Sequence, residues 1–334
     1  MKNLKNELGD ENNFMGNPEN LKYIENITEN HSCGGLLSNF DVFKGLHDNV
    51  EYIIYNNKLN FNLEIMRIKD KFLIKSLEGH KSRTTVIKYY KKNNKEDYIL
   101  SCDSGEDENH IKRVIIWDIQ DNFLKKIIIK EEEYTGKIFD SLILFDILKK
   151  NYILISSGNP EFSKLYEFEK EYSFINYMGE TNRAGTTFII HWENNKHYII
   201  EFLSNIILIY NMLDYELYAS FKVITQYKSG YIFNNQYLFA ISEKSSIRIW
   251  DLINKNLFMG FEHESTAGFD IILWNDNFTL FSTNLYIYIL NNEDYTTKKI
   301  KGKIKGMKKL IIDNLGECLV GSDKFGNIQL YKIN

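Results

Sequence analysis

An all-β chain in which one unit recurs seven times is the fold this sequence predicts, and three observations carry that expectation. Apolar β-branched and aromatic residues gather in short runs parted by Asn, Asp, Gly and Ser, with no sustained helical period. A single pattern, apolar-x-apolar-large-polar-apolar, appears seven times, and its spacing is nearly constant. Such regularity marks a repeat architecture.

Followed along the chain, the runs are Leu63 to Ile68, Arg113 to Ile119, Ser163 to Phe168, Ile207 to Met212, Ser246 to Leu252, Ile287 to Asn291 and Ile328 to Ile333. Their large residues fall at 66, 117, 166, 210, 250, 290 and 331, at intervals of 51, 49, 44, 40, 40 and 41 residues. One period therefore spans the chain from Phe40 to its end. Between these runs lie further β-type stretches, among them Glu51 to Tyr55, Tyr98 to Leu100, Tyr152 to Ile155 and Tyr237 to Ile241. Phe139 to Lys150 (FDSLILFDILKK) also suits a helix, but it stands where a strand and its turn are due. It is read as a strand.

Two of the runs end alike, in Trp117-Asp118 and Trp250-Asp251, and Gly79-His80 lies upstream of the first. This pairing resembles the WD-repeat β-propeller family, whose unit is a four-stranded antiparallel blade of about 40 to 45 residues. The resemblance implies a seven-bladed β-propeller, because one sheet exposes two apolar faces and blades stack radially until the ring closes. The last run ends at Ile333, so the final blade lacks its outermost strand. Leu21 to Thr28 (LKYIENIT) is expected to supply it and close the ring, as the family typically does, with residues 1–20 a disordered leader and 21–334 the propeller.

The family's hydrogen-bonded tetrad maps onto the second blade as His80, Ser101 (or Ser104), Asp103 (or Asp107) and Trp117, in a structural role. In the fifth blade Trp250 and Ser242 match, Glu243 replaces the turn Asp, and no His is suitably placed. The resemblance further implies a non-enzymatic scaffold or adaptor that binds other proteins or peptides as a subunit of a larger complex. Loop residues without structural duty are the expected contacts: Lys81, Arg83, Arg183 and His263, with Tyr227 as an aromatic anchor, since interface hot spots favour Arg and aromatics.

Composition bounds the remaining classes. With 43% hydrophobic and 14% aromatic residues the 334-residue chain can bury a core, and 41 basic against 45 acidic residues rule out a polybasic protein. Only five of the basic residues are Arg, which disfavours a dedicated nucleic-acid reader. Three well-separated cysteines offer neither a disulfide framework nor a metal knuckle. The first twenty residues lack the apolar core of a signal peptide, so an intracellular, cytoplasmic place is expected.

Other groupings are weighed against plain structure. His80, Ser101, Cys102 and Asp103 contain the elements of a nucleophilic set, but the tetrad explains them without chemistry. A propeller hydrolase would instead need groups converging from several blades. His191 and His197 flank a turn without a third ligand, so no metal and no cofactor is expected. The loop Asp103 to Lys112 carries four acids and reads as a solvated insertion. Lys298 to Lys309 (KKIKGKIKGMKK) holds seven lysines. Lys298, Lys299, Lys301, Lys303 and Lys305 could meet a membrane surface or another polyanion, but lysines also protect an exposed sheet edge, which is the preferred reading.

Overall fold

A computed structural model of the chain describes residues 18, 21–28, 40–45, 48–57, 59–91, 96–104, 112–120, 122–131, 139–147, 150–157, 163–167, 173–178, 185–193, 196–203, 205–211, 214, 216–244, 246–263, 267–313, 315–323 and 327–333. Side chains are described at these positions except 28, 112, 124–166, 168–197 and 333. Apart from Pro18, the expected leader lies outside the described residues.

Among the described residues, twenty-eight strands form seven four-stranded antiparallel sheets. The first sheet is β2 (Phe40–Lys44), β3 (Glu51–Asn56), β4 (Leu63–Arg67) and β5 (Phe72–Leu77). The second comprises β6 (Thr84–Lys91), β7 (Asp97–Asp103), β8 (Lys112–Asp118) and β9 (Leu124–Glu131), and the third β10 (Phe139–Ile147), β11 (Lys150–Ser157), β12 (Ser163–Glu167) and β13 (Ser173–Met178). The fourth runs through β14 (Gly185–Glu193), β15 (Lys196–Leu203), β16 (Ile206–Asn211) and β17 (Leu217–Lys222), and the fifth through β18 (Tyr227–Phe233), β19 (Tyr237–Ser242), β20 (Ile247–Asp251) and β21 (Asn256–Phe261). The sixth is β22 (Gly268–Asn275), β23 (Phe278–Thr283), β24 (Tyr286–Asn291) and β25 (Thr297–Lys301). Only the seventh breaks sequence order. Here β26 (Ile304–Ile312), β27 (Gly316–Asp323) and β28 (Ile328–Ile333) are completed by β1 (Leu21–Thr28), which pairs antiparallel with β28 from Leu21 opposite Ile333 to Thr28 opposite Ile328.

Each of the seven repeated runs is the third strand of its sheet, and Phe139 to Ile147 is indeed a strand. The large residue of the pattern has a visible effect on register. Opposite Met66, Trp117, Tyr166, Tyr210 and Trp250 the outermost strand carries a bulge, and β1 carries one beside Tyr331. Only the sixth sheet, at Leu290, pairs there without one. A second bulge opens the innermost strand of sheets two to seven, at Thr85, Asp140, Thr186, Lys228, Phe269 and Lys305. Bulges of this kind bend a strand and increase its twist, which each sheet needs to pack against its neighbours.

The core lies between sheets. Phe43, Ile54, Leu63 and Ile65 of the first sheet pack with Ile87, Ile99, Ile115 and Trp117 of the second. Equivalent clusters join the fourth sheet to the fifth, the fifth to the sixth, the sixth to the seventh and the seventh to the first. β1 contributes to two of these, with Leu21 between sheets six and seven and Ile27 between seven and one. Consecutive innermost strands touch all the way round, β26 meeting β2.

Two buried aspartates staple neighbouring innermost strands. Asp41 on β2 accepts the amide N–H of Tyr89 on β6 at 2.7 Å, and Asp270 on β22 accepts that of Met307 on β26 at 2.9 Å. Each also caps the next residue of its own strand, Val42 at 3.0 Å and Ile271 at 2.9 Å. A buried backbone donor without such a partner would cost about 1 to 3 kcal/mol.

Candidate functional site

The second sheet brings His80, Ser101, Asp103 and Trp117 together, all sealed from solvent. His80 Nδ1 lies 3.2 Å from Asp103 Oδ2 and Nε2 lies 2.7 Å from Ser101 Oγ, while Trp117 Nε1 donates to the same Oγ at 2.9 Å. A carboxylate can only accept, so Nδ1 carries the proton and Nε2 accepts from the serine hydroxyl. Hydrogen bonds thus run in one direction, Trp117 to Ser101 to His80 to Asp103. Arg113, which is not among the tetrad positions, completes the set: its backbone N–H reaches Asp103 Oδ1 at 2.9 Å and its guanidinium reaches Oδ2 at 3.2 Å. Its place is predictable in retrospect, because it lies one strand over, two residues before the segment that pairs with Ser101.

Chemically this arrangement is closed. Every hydrogen-bonding nitrogen and oxygen that nucleophilic catalysis would use is already engaged, and the neighbouring Cys102 thiol is buried, donating at 3.6 Å to the Asp103 carbonyl. It locks the loop leading from β5 into β6 onto the sheet.

The fifth sheet corrects one alignment. Register pairs Ala240 with Arg248, the position that Ser101 and Ile115 hold in the second sheet, so Ser242 occupies the equivalent of Asp103 instead. Its hydroxyl meets Ser246 Oγ at 2.7 Å and accepts the Ser246 N–H at 3.1 Å. Trp250 packs by its ring, edge-on to Tyr227 at 5.1 Å.

The expected contact residues fare differently. Lys81 is exposed in the loop before β6. Next to it Arg83 is half-buried; its carbonyl accepts the Ser104 N–H at 2.9 Å, while its Nε and the hydroxyls of Thr84 and Ser104 have no partner among the described residues. His263 is half-buried against Phe281 and Tyr288, with ring centroids 4.7 and 4.5 Å away and Nε2 without a partner among the described residues. Burial holds its pKa below the usual histidine value. Tyr227 is not an available anchor: it is 3% exposed and packs between Trp250 and Phe202, and burial pushes its hydroxyl up to about 12. An aromatic at the start of an innermost strand was needed for the core between sheets four and five. Arg183 lies outside the described residues.

The lysine-rich segment does not make one patch. Lys298, Lys299 and Lys301 are on β25, the outermost strand of the sixth sheet, whereas Lys305, Lys308 and Lys309 are on β26, the innermost strand of the seventh. Lys299 lies over the Tyr286 ring at 4.9 Å, Lys305 over Phe269 at 5.6 Å, and Lys309 pairs with Glu317 at 2.6 Å. At the crossing, Lys301 and Lys303 border a hollow of about 350 Å³ with Tyr23, Asp323 and Tyr331. His191 and His197 pair with Tyr198 and Trp192 respectively, which sets the two histidine positions on opposite faces of their hairpin. No group of three metal-ligating side chains occurs among the described residues.

The fold that positions these residues is that of a β-propeller, seven four-stranded sheets set round an axis. The chain is similar to two solved structures of BBS1N in complex with ARL6DN. To the one from a crystal soaked with lead it has 7% sequence identity and a TM-score of 0.72, and to the one soaked with mercury 6% and 0.71; in both, 94% of this chain and 97% of the other are covered. No protein-family model and no curated protein matches the sequence. At such identity the likeness is one of fold.

Proposed function

We propose that this chain is a degenerate WD-repeat propeller working as a non-enzymatic interaction scaffold, a subunit of an intracellular protein complex. The carrying observation is the contrast within the second blade: its tetrad is buried and saturated, while the adjoining loop presents Lys81 and leaves Arg83 Nε without a partner among the described residues. Reactive groups are spent on structure and recognition groups are left over. A structural neighbour solved as a complex with another protein supports the same reading. The tetrad geometry supports the WD-repeat assignment, since the hydrogen-bonded residues are those the family uses.

The test compares proteins co-purifying with wild type and with Lys81→Glu/Arg83→Ala. Selective loss of a reproducible set at unchanged melting temperature supports the loop as a docking element, and an identical set removes it.

A second reading, an anionic-surface adaptor, draws on the hollow beside Lys301 and Lys303. It requires charge reversal at Lys301, Lys303 and Lys305 to abolish binding to anionic liposomes.

A further inference from the structure

The chain passes from β25, which ends at Lys301, to β26, which begins at Ile304, through Gly302 and Lys303 alone. Glycine lets this crossing run close to its neighbours, since a Cβ at 302 would come within 2.9 Å of Ile287 Cδ1 and 3.3 Å of the Tyr331 hydroxyl oxygen. Beside the crossing lies the hollow of about 350 Å³, walled on its other side by Tyr23 of β1 and Tyr331 of β28, whose rings stand edge to face with centroids 5.7 Å apart. Both hydroxyls are spent. Tyr331 donates to Gln329 Oε1 at 2.8 Å and Tyr23 to Asn26 Oδ1 at 3.2 Å, so the tyrosines offer the hollow ring surface and no free donor. Asp323, an acid at its edge, already accepts the backbone and side-chain N–H groups of Asn327, each at 2.9 Å. Lys301 and Lys303 are exposed, and among the described residues neither has an ion-pair partner.

An aromatic wall beside two uncompensated ammonium groups has a definite complement, an aromatic side chain flanked by carboxylates. Tyr23 is 53% exposed, so its ring is open to a third ring, and edge-to-face or offset contacts between rings are favourable beyond the area they bury. Acids on either side of that ring would meet Lys301 and Lys303 by charge complementarity. A bare oxyanion would leave the rings unused. A lipid surface suits the site less, because other lysines of the run are held apart from it, Lys299 over Tyr286, Lys305 over Phe269 and Lys309 against Glu317. We propose that the hollow between the sixth and seventh sheets docks an acidic segment of a partner protein through an aromatic side chain, with Lys301 and Lys303 holding the carboxylates beside it. This rests on the chain being an interaction scaffold, and it assigns to a protein the hollow that the second reading gives to an anionic surface.

Fluorescence anisotropy on the full chain tests this with two labelled peptides, Asp-Glu-Asp-Phe-Glu-Asp-Glu and the same sequence with Ala in place of Phe. Wild type should bind the first saturably with a Kd below about 1 mM, and the second about threefold to tenfold more weakly. Tyr23→Ala should abolish that preference, and Tyr23→Phe should keep it. Lys301→Glu with Lys303→Glu should weaken the first peptide about tenfold or more, whereas Lys222→Glu with Lys244→Glu, the same change of net charge at exposed positions on the fourth and fifth sheets, should bind as wild type does. Should the lysine variants fail to fold, the preference of wild type and its loss in Tyr23→Ala decide in their place. Absence of saturable binding, equal binding of the two peptides to wild type, or equal loss in the two lysine pairs overturns the site. So does binding to anionic liposomes that depends on Lys301 and Lys303 while peptide binding does not. If the peptides fail but the co-purifying proteins still depend on Lys81 and Arg83, the hollow loses its role and the scaffold reading stands.

Discussion

Ser101 is the residue on which the second blade's network turns, because one hydroxyl both accepts from Trp117 and donates to His80. Ser101→Ala would leave an indole N–H and an imidazole nitrogen buried without partners. Each such orphan costs about 1 to 3 kcal/mol, so a loss of about 2 to 4 kcal/mol in urea unfolding is expected, and a loss below about 0.5 kcal/mol would show the network to be incidental. His263 supplies a pH-dependent counterpart. Its folded pKa is held below the ordinary 6.5, chiefly by burial, with Glu262 opposing. Below that value the unfolded chain takes up a proton that the folded one refuses, so stability falls as pH drops, by at most about 1.4 kcal/mol per pH unit. His263→Phe keeps a ring against Phe281 and Tyr288 and abolishes the titration. Its stability profile should be flatter than wild type between pH 6.5 and 5; parallel profiles would show that His263 does not titrate differently on folding.

At the scale of elements, the outer strands differ in how they guard their edges. β25 presents Lys298, Lys299 and Lys301, whereas β21 (NLFMGF) carries no charge and exposes Leu257 and Phe258, and β5 exposes Phe72, Leu73 and Ile74. β5 has a single charge, Lys75, and apolar edges with few or no charges invite strand addition. Leu257→Lys with Leu73→Lys should lower concentration-dependent light scattering while changing the melting temperature little, and unchanged scattering would mean that these edges are not the sticky surfaces. The sequence made the third strands legible, because their bulky residue recurs at positions such as Met66, Trp117 and Trp250, and it made β1 legible by the missing partner of β28. Its limits are equally physical. Ser242 stands two residues beyond the true equivalent of Ser101, which is Ala240, and a slip of two keeps every side chain on the same face of a strand, so the apolar pattern gives no warning. The staples from Asp41 to Tyr89 and from Asp270 to Met307 join residues 48 and 37 apart in different sheets, and no local pattern announces them.

At the scale of the molecule, a ring has as many inter-sheet faces as sheets, and breaking any one exposes two apolar surfaces together. β1 is critical in that sense: Leu21 and Ile27, 4% and 5% exposed, belong to the two cores flanking the seventh sheet. Burying each side chain contributes about 1.5 to 3 kcal/mol, before counting the ladder to β28. Removing 21–28 should therefore lower the melting temperature sharply, but that alone does not tell whether β1 is held by its pairing or by its connection to β2. A rearranged chain separates the two. Leu21 pairs directly with Ile333, so the end of β28 and the start of β1 are neighbours that a turn of about two to five residues can join. A chain starting at residue 29, running to Ile333, crossing such a turn and ending with 21–28 keeps every ladder while cutting the link before β2. If pairing and inter-sheet packing close the ring, this permutant should unfold in one cooperative calorimetric transition within a few degrees of wild type, whereas simple deletion of 21–28 should not. A permutant as unstable as the deletion would place the closure in the covalent link and would leave the seventh sheet unable to hold its own edge.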